Sequence, residues 1–418
     1  MTPASSRPFR TAVSIFALIL SAWLLLASGG AVAAEKAPEL EAKAWTLIDA
    51  RTGEVLTEYR PDEHLGMAST TKMMTAYLAM KNLPLSEEVP AADYAAAPAE
   101  SLMGLEPGQM ISVRDLLYGL IMLSGNDAAV TLAEAVSGSE KNFVRLMNRT
   151  AEELGLEDTS YENSIGLDGR NHYSSSSDLT KLGRILMEMP YFRKIAASRT
   201  ATLKSYDPPI EIETLNDFVL YNPWALGIKT GHTESAGYVL VSDGRRRATE
   251  LIAAVIGTPT ELQRDSESVR LLEWGFSLYE KQVPVRSGRT IVSVPVRFED
   301  EDLDLVSRAS VQVGVRDGEK LQVSTDVPEE VEGPVEKGES LGSATVTVDG
   351  DRIQTVRLFS PRAIAEPGLI DRVTEKPLYL VLALFLLLFA ILGVVTGVRH
   401  RHQSRMRRRL RRVTRSKP

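Results

Sequence analysis

The chain has 418 residues, 44% of them hydrophobic and 25% charged, an ordinary composition for a globular protein of two or three structural units. It has no cysteine and only five histidines, which excludes disulfide bonds, thiolate catalysis and cysteine-ligated metals, and we predict neither a metal nor a cofactor. Basic residues are concentrated at the two ends, so residues 35–376 hold 36 basic against 55 acidic side chains, a balance that is not typical of a nucleic-acid-binding protein.

The N-terminus has the pattern of a secretory signal peptide over residues 1–34. Arg7 and Arg10 precede an uncharged, mostly apolar stretch at 12–27. The small residues that follow fit a cleavage site after Ala33 or Ala34. We therefore expect the body of the protein to be exported. The alternative is an uncleaved N-terminal anchor.

Residues 35–281 have the pattern of one domain of mixed helix and sheet. Alternating residues predict a hairpin, apolar stripes then predict a block of helices, and strands and a last helix follow. The predicted strands are 44–49, 54–56, 225–230, 237–242 and 251–256, and the predicted helices are 70–82, 113–123, 127–136, 141–154, 178–189 and 267–281. Asp243-Gly244 is the predicted turn between the last two strands. This order predicts an α+β domain, an antiparallel sheet covered by helices.

Residues 282–365 change to short alternating runs separated by Gly, Pro, Asp and Glu, without a helical stretch. The predicted strands are 290–298, 310–315, 321–323, 343–348 and 353–358. We expect a small all-β sandwich or barrel here. Residues 366–376 would then be a linker.

The C-terminus has the pattern of a transmembrane helix followed by a basic tail. Residues 377–398 carry no charge, and 22 helical residues span roughly 33 Å, enough to cross the hydrocarbon core of a bilayer. Residues 399–418 contain ten Lys or Arg and no acid. A flank this basic is typical of the cytoplasmic side of a membrane. Together with the N-terminus, it predicts a catalytic body in the periplasm and a single-pass anchor in the inner membrane.

Three short motifs occur in the chain, and their occurrence together in this order is more informative about function than any one of them alone. Ser69 and Lys72 form S-x-x-K at the start of a predicted helix, Ser124-Gly125-Asn126 forms S-x-N between two helices, and Lys229-Thr230-Gly231 forms K-T-G at the end of a strand. Each motif alone is common by chance. The set in this order is the one found in penicillin-binding proteins and serine β-lactamases.

The chemistry explains why these residue types are needed. A helix start directs N–H groups and a positive dipole at Ser69, and Lys72 lies one turn later on the same face. Serine needs a base within hydrogen-bond reach, and burial beside a second cation such as Lys229 would lower the pKa of Lys72 for that role. Ser124 can relay a proton to a leaving amine, and Asn126 can bind a substrate amide. Lys229 with Thr230 supplies a cation and a hydroxyl for a carboxylate such as the end of a D-alanyl-D-alanine peptide.

The chain resembles the low-molecular-mass penicillin-binding proteins of the D-alanyl-D-alanine carboxypeptidase class, the family that includes penicillin-binding protein 5. The segments that carry the resemblance are 101–108, 124–128, 146–148, 166–168, 229–233 and 236–238. The resemblance covers nearly all of residues 40–365, including the small β domain. It implies the penicillin-binding-protein fold, an antiparallel sheet with helices on both faces.

The resemblance also implies an activity and roles for individual residues. The expected reaction removes the terminal D-Ala from peptidoglycan stem pentapeptides through an acyl-enzyme, with β-lactam antibiotics as acylating inhibitors and no nucleic-acid partner. Ser69 is implied as nucleophile and Lys72 as its base, with Ser124 assisting. The implied substrate-binding residues are Asn126, Lys229, Thr230, Gly231, His232 and Thr233. The backbone N–H groups of Ser69 and His232 are implied as the oxyanion hole.

Two features depart from the family pattern. Some members carry an Arg after K-T-G that holds the substrate carboxylate, and the corresponding place in this sequence falls at Glu250, just after Arg245, Arg246 and Arg247. Carboxylate binding would then rest on Lys229 and two threonines, or on a shifted Arg. The second departure is the anchor, because many relatives end in an amphipathic helix that lies on the membrane surface.

Three alternative functions differ from the carboxypeptidase. A class A β-lactamase needs a deacylating Glu in E-x-x-L-N, and Glu213-Thr214-Leu215-Asn216 is one residue short of that pattern and too close to Lys229. A D,D-endopeptidase on the same scaffold usually lacks the β domain and the anchor. A non-catalytic wall-binding protein would normally have lost Ser69, Lys72 or Lys229.

Overall fold

The computed structural model describes residues 36–98, 100–368 and 377–413. The predicted signal peptide (1–34), most of the predicted linker and the last five residues of the tail lie outside the described residues. The chain divides into two compact units, with the boundary between Tyr279 and Glu280.

The first unit is built on a five-stranded antiparallel sheet in the order β2-β1-β9-β8-β7. The strands of this sheet are β1 Ala44–Asp49, β2 Val55–Tyr59, β7 Ala225–Thr233, β8 Gly237–Arg246 and β9 Thr249–Thr258. Two short hairpins lie outside it, formed by β3 Glu88–Pro90 with β4 Met110–Ser112, and by β5 Thr200–Leu203 with β6 Ile210–Glu213.

Helices cover the sheet on both faces. They are α1 Lys72–Asn82, α2 Val113–Met122, α3 Asn126–Ser137, α4 Glu140–Glu153, α5 Ser176–Met187, α6 Pro190–Ala196, α7 Asp217–Tyr221 and α8 Glu261–Ser277. A 3₁₀ turn, Ala68–Thr71, precedes α1. The predicted α+β fold with helices on both faces is confirmed.

The sequence of β9 shows why both faces of the sheet are covered. Side chains of a strand alternate between its faces, and β9 is apolar on both. Leu251, Ala253 and Val255 pack in the core under α8, and Ile252, Ala254 and Ile256 pack in the larger core under α1, α2, α3 and α5. The sheet is thus buried between two layers of helices.

Helix starts follow the sequence closely where a hydroxyl caps them. Ser112, Ser139 and Ser175 accept hydrogen bonds from the backbone N–H three residues later, at the starts of α2, α4 and α5. The last helix was predicted at 267–281 but begins at Glu261, because Thr260 accepts the N–H of Gln263 as its cap. The predictions also omitted the two short hairpins, α6 and α7.

The predicted turn at Asp243-Gly244 is wrong. β8 continues through both residues, which pair with Ile252 and Leu251, and the turn falls at Arg247 and Ala248, which have φ values of 50° and 69°. Gly244 is needed for close packing instead, since a Cβ there would lie 2.6 Å from the ring of Trp224. The longer hairpin places Arg245 opposite Glu250.

Glu250 therefore occupies a structural position and not the substrate site. Its carboxylate forms ion pairs with Arg193 and Arg245, and its side chain is only 14% exposed. The strand register places Lys229 opposite Val241, and Val241 opposite Ala254. Glu250 is thus two strands away from Lys229 and about 13 Å further along the sheet. The placing of the family's Arg position at Glu250 is therefore wrong, and the alternative of a shifted Arg at Arg245 is not supported, because Arg245 pairs with Glu250.

The second unit contains an all-β domain, as predicted. Its five-stranded sheet has the order β11-β12-β16-β15-β14, and β10 pairs with β13 separately. The strands are β10 Tyr279–Val285, β11 Thr290–Val294, β12 Leu303–Ser307, β13 Val311–Arg316, β14 Leu321–Asp326, β15 Ser340–Val348 and β16 Asp351–Phe359. Alternating Val and Leu from both sheets form its core. The sequence did not predict β10 or β12.

The last described element is one continuous helix, α9 Pro377–Val413. Within it, Val381–Arg407 is long and apolar enough at its start to cross a membrane. The apolar side chains that the structure describes in this helix, such as those of Leu384, Phe385 and Leu388, are exposed, whereas the long helices of the first unit each bury an apolar face. The helix also extends beyond the uncharged segment 377–398 into the basic tail.

We expect Glu250→Gln to destabilise the first unit by about 1–3 kcal/mol without changing catalysis, because it leaves two arginines facing a neutral side chain in a mostly buried position. Thermal and denaturant unfolding would measure the loss. Glu273→Gln is the matched control, since Glu273 pairs with Arg246 on the same hairpin but both side chains are about half exposed, and it should change stability by less than about 0.5 kcal/mol. Equal stability of the two variants would contradict the structural role of Glu250.

Candidate active site

The candidate nucleophile Ser69 lies in the 3₁₀ turn that leads into α1. Met67 and Ala68 are fully buried and fix this turn in the core, whereas Ser69 itself is partly exposed. The hydroxyls of Thr70 and Thr71 donate to the carbonyls of Met67 and Ala68 at 2.6 and 2.8 Å. The turn is thus held by its own hydroxyl groups, and Ser69 is the one hydroxyl in it that faces outward.

Lys72 is bonded directly to the candidate nucleophile. Its Nζ lies 3.0 Å from Ser69 Oγ and 2.5 Å from the carbonyl oxygen of Ile165, and its side chain is completely buried. Burial lowers the pKa of Lys72 well below its usual value, and the charge of Lys229 lowers it further, while two carboxylates, Glu100 and Asp127, act in the opposite direction. A neutral Lys72 can accept the proton of Ser69.

The second lysine of the site, Lys229, contacts the S-x-N motif. Its Nζ donates to Ser124 Oγ at 3.0 Å and to the carbonyl of Thr230 at 2.8 Å, and it is 2% exposed. Burial and then the charge of Arg264 lower the pKa of Lys229 to about 7. Ser124 reaches this position because the tight connection between α2 and α3 puts it in the left-handed region, with φ 59°.

Gly231 allows strand β7 to pass directly beside the turn that carries Ser69. A Cβ at Gly231 would lie 2.8 Å from the backbone nitrogen of Ser69 and 3.2 Å from that of Thr70. Any larger residue would push the strand away from the turn. The K-T-G glycine thus brings the backbone of β7, including the N–H of His232, to the nucleophile.

The residues after Gly231 lie at the outer end of β7. His232 is exposed, and its ring stacks on that of Tyr238 with centroids 4.0 Å apart. The Thr233 hydroxyl donates to Asp168 at 2.7 Å and accepts the N–H of Ala236. Thr233 therefore ties the 166–168 loop to β7, which gives it a structural contact in addition to the predicted substrate contact.

Asn126 completes the set of predicted site residues. Its side-chain amide donates to Glu100 Oε2 at 2.7 Å, and its backbone N–H donates to the carbonyl of Ser101 at 2.8 Å. Asp127 accepts three backbone N–H groups, those of Met103, Gly104 and Leu105, at 2.8 to 3.0 Å. The S-x-N motif thus holds the 100–105 segment at the site.

A buried histidine, His172, contacts the 3₁₀ turn Ala68–Thr71 that carries Ser69. The backbone N–H of Glu162 donates to His172 Nδ1 at 3.0 Å, so the neutral ring carries its proton on Nε2 and donates to the Thr71 hydroxyl at 2.8 Å. Burial lowers the pKa of His172 to about 4. The ring therefore stays neutral near pH 7, and the bond chain from Glu162 through Thr71 to Ala68 is maintained.

Arg264 is a buried cation near Lys229 that the sequence analysis did not select. It lies in the first turn of α8, is 2% exposed, and is close enough to Lys229 to lower the pKa of that lysine. Its guanidinium is held by Asp265 at 2.8 Å and by Glu261 at 3.0 Å. It was missed because it follows Lys229 by 35 positions, two strands later, and stands in no motif.

These contacts define one site with a candidate nucleophile, a buried lysine of lowered pKa beside it and a second buried lysine. The structure brings Ser69, Lys72, Ser124 and Lys229 together, and Asn126 joins them through the 100–105 segment. Such an arrangement can attack a carbonyl carbon beside an anionic group. The described residues include no cluster of three or more His, Asp or Glu side chains able to hold a metal.

The comparisons with known proteins agree with this chemistry. A family model described as D-alanyl-D-alanine carboxypeptidase matches residues 31–260, and one described as the C-terminal domain of penicillin-binding protein 5 matches residues 279–366. The chain is 32% identical over 343 residues to the D-alanyl-D-alanine carboxypeptidase DacF of Bacillus subtilis, which covers 79% of this chain and 87% of that one. It is 33% identical over 372 residues to DacC of Escherichia coli, covering 84% of this chain and 92% of that one.

Solved structures are similar as well. Penicillin-binding protein 5 from Haemophilus influenzae superposes with a TM-score of 0.56 at 31% identity, covering 79% of this chain and 99% of that one. A D-alanyl-D-alanine carboxypeptidase from Mycobacterium tuberculosis superposes with a TM-score of 0.55 at 31% identity, covering 59% and 95% of the two chains.

Proposed function

The chain belongs to the D-alanyl-D-alanine carboxypeptidase family, and from that premise we propose which of its residues carry out the reaction. It is a serine-type hydrolase that acts on peptidoglycan peptides ending in D-Ala-D-Ala, and it binds β-lactams, as its family does. The predicted family and function are confirmed. The roles of individual residues are the proposal.

Ser69 attacks the carbonyl carbon of the penultimate D-Ala. Its hydroxyl proton passes to the neutral Nζ of Lys72 as the Oγ–C bond forms, and the negative charge moves onto the carbonyl oxygen. The backbone N–H groups of Ser69 and His232 stabilise that oxyanion. The observation that carries this proposal is the 3.0 Å contact between Lys72 Nζ and Ser69 Oγ in a completely buried environment.

The leaving D-Ala needs a proton on its nitrogen as the peptide bond breaks. The Ser124 hydroxyl, held by Lys229 at 3.0 Å, is placed to pass its proton to that nitrogen and to take in exchange the proton that Lys72 received from Ser69, which leaves Lys72 neutral again. The product of this step is an ester between Ser69 and the shortened peptide. Water then attacks the ester, with Lys72 again as the base, and releases the peptide and free Ser69.

The terminal carboxylate of the substrate binds beside Lys229. Thr230 contributes its hydroxyl, and Arg264 contributes a second positive charge that the resemblance had led us to expect. An anion between two cations raises the pKa of both, so a bound carboxylate keeps Lys229 charged at pH 7. Asn126 binds the amide of the preceding peptide unit.

We expect Ser69→Ala and Lys72→Ala each to lower kcat for D-Ala release by roughly 10³-fold or more, because nucleophile and base act as a unit. The assay measures D-alanine released from a pentapeptide ending in D-Ala-D-Ala, alongside acylation by a fluorescent penicillin. Ser277→Ala, at an exposed serine on α8, is the control and should match the wild type. Unchanged D-Ala release by Ser69→Ala would exclude this mechanism.

We expect Arg264→Ala to raise KM and lower kcat together, reducing kcat/KM by about 10- to 100-fold, because the contact both binds and orients the substrate. The loss should vanish with a peptide whose terminal carboxylate is replaced by a neutral amide, since that substrate has no charge to bind. Arg270→Ala, at an exposed arginine on the same helix, is the control. An equal loss with both substrates would instead indicate a structural role for Arg264.

The membrane placement is also part of the proposal. A C-terminal apolar helix fits a membrane anchor, and the family acts on peptidoglycan peptides, which lie outside the cell membrane. We propose that the signal peptide exports the chain, that α9 crosses the inner membrane once, and that the catalytic domain lies in the periplasm. Ten basic residues after 398 would then remain in the cytoplasm.

The orientation can be tested with single cysteines, because the chain has none of its own. A cysteine at Ser416, in the basic tail, should be protected from a membrane-impermeant thiol reagent in spheroplasts and react after permeabilisation. A cysteine at the exposed Ser324 on β14 should react in both states. Labelling of the Ser416 variant in intact spheroplasts would refute the orientation.

A further inference from the structure

We propose that Glu100 is a positioning residue for the reaction, which holds the Asn126 amide in one orientation and keeps a carboxylate charge facing Lys72. The inference rests on the proposed roles of Ser69, Lys72 and Asn126. None of the three motifs contains Glu100, and the sequence analysis did not select it.

The position of Glu100 is set by the S-x-N motif itself. The backbone N–H of Asn126 donates to the carbonyl of Ser101, the residue directly after Glu100, at 2.8 Å. Asp127 binds the N–H groups of Met103 and Gly104 at 2.8 Å each. Glu100 also closes a turn on its own N-terminal side, where Oε1 accepts the N–H of Ala97 at 3.1 Å. The carboxylate is therefore carried by a segment that is fixed on both sides.

The carboxylate is bonded to the catalytic asparagine and to a tyrosine. Oε2 accepts from Asn126 Nδ2 at 2.7 Å and from the hydroxyl of Tyr94. Burial opposes the charge of Glu100, but these bonds, the Ala97 N–H and the charge of Lys72 outweigh it and lower the pKa of Glu100. Burial and the bond to Glu100 raise the pKa of Tyr94, so its hydroxyl remains a donor. Glu100 is thus an ionised acceptor at neutral pH.

An ionised carboxylate fixes the orientation of the neighbouring amide. It can only accept hydrogen bonds, so Asn126 must present its NH₂ group to Glu100 and turn its carbonyl oxygen away. Without Glu100, the amide could rotate and exchange its donor and acceptor. Since Asn126 is only 6% exposed and binds a substrate amide in the proposed mechanism, one fixed orientation favours one alignment of the peptide.

The charge of Glu100 acts on the base. Three charged groups lie near enough to Lys72 to shift its pKa: Lys229 on β7, Glu100 in the segment before α2, and Asp127 on α3. His172, behind the nucleophile turn, is neutral near pH 7. The carboxylate of Asp127 accepts hydrogen bonds from backbone N–H groups. Glu100 is the other carboxylate whose charge opposes the effect of Lys229 on the pKa of Lys72. Removing its charge should therefore lower the pKa of Lys72 and move the acid limb of the kcat/KM profile to lower pH.

Two substitutions separate the two effects. Glu100→Gln removes the charge but keeps an oxygen that can accept from Asn126 and Tyr94, so the acid limb should shift down by about 0.5 to 1 pH unit with kcat on the plateau within about threefold of the wild type. Glu100→Ala removes both the charge and the accepting oxygen. It should therefore shift the acid limb by the same amount and also lower the plateau kcat by about tenfold or more. Both are measured on the full chain in detergent, with diacetyl-Lys-D-Ala-D-Ala as substrate.

Glu106→Gln is the matched control, because Glu106 lies on the same segment with the same charge but is exposed; its profile should match the wild type. Thermal unfolding and penicillin acylation of each variant test whether the site remains folded. An acid limb that stays in place in Glu100→Gln would overturn the proposal, as would an equal fall in kcat for Gln and Ala without a shift. A wild-type enzyme that is not acylated at Ser69 would instead refute the proposed mechanism.

Discussion

The structure depends on burying two ammonium groups in one site. Lys72 and Lys229 are at most 2% exposed, and each costs several kcal/mol to remove from water unless partners compensate. Their hydrogen-bond partners are uncharged: the Ile165 carbonyl and the Ser69 hydroxyl for Lys72, and the Thr230 carbonyl and the Ser124 hydroxyl for Lys229. Neutral partners leave the positive charges poorly compensated, so both pKa values fall. The same burial that costs stability lowers the pKa of Lys72 and so suits it to the proposed role of base.

Several features outside the motifs serve this burial. The Ile165 carbonyl must point at Lys72, and the loop that carries it is held by Glu140, which binds the N–H and hydroxyl of Ser164, and by Asn163, which accepts the N–H of Gly166. Gly166 has φ 96°, and a Cβ there would lie 2.1 Å from the carbonyl oxygen of Ala68. The loop can therefore approach the turn that carries Ser69 only with glycine at this position, which explains the glycine of the 166–168 segment, outside the three motifs.

The sequence predicted the parts of the site whose geometry is local and missed those that depend on strand register. Ser69 and Lys72 are one helical turn apart, so their contact follows from spacing alone. Arg264 lies near Lys229 only because β8 and β9 bring the chain back across the sheet, and no short sequence pattern indicates that approach. The turn at Asp243-Gly244 was also misplaced because its determinant is a tertiary contact. Asp-Gly is typical of turns, but Gly244 lies within a strand and must be glycine because a Cβ there would clash with the ring of Trp224. The position of the family's carboxylate-binding Arg was then matched to Glu250, a match that the strand register excludes.

The two lysines are chemically alike, and their neighbours give them different roles in the proposed mechanism. The charge of Arg264 lowers the pKa of Lys229, whereas the carboxylates of Glu100 and Asp127 raise the pKa of Lys72. A substrate carboxylate that binds between Lys229 and Arg264 raises the pKa of Lys229 most, because it lies nearest to it. A charged Lys229 then favours the neutral form of Lys72. In the proposed mechanism, binding of the substrate therefore keeps Lys229 positively charged. Lys72 stays neutral and is the free base that the attack on the carbonyl needs.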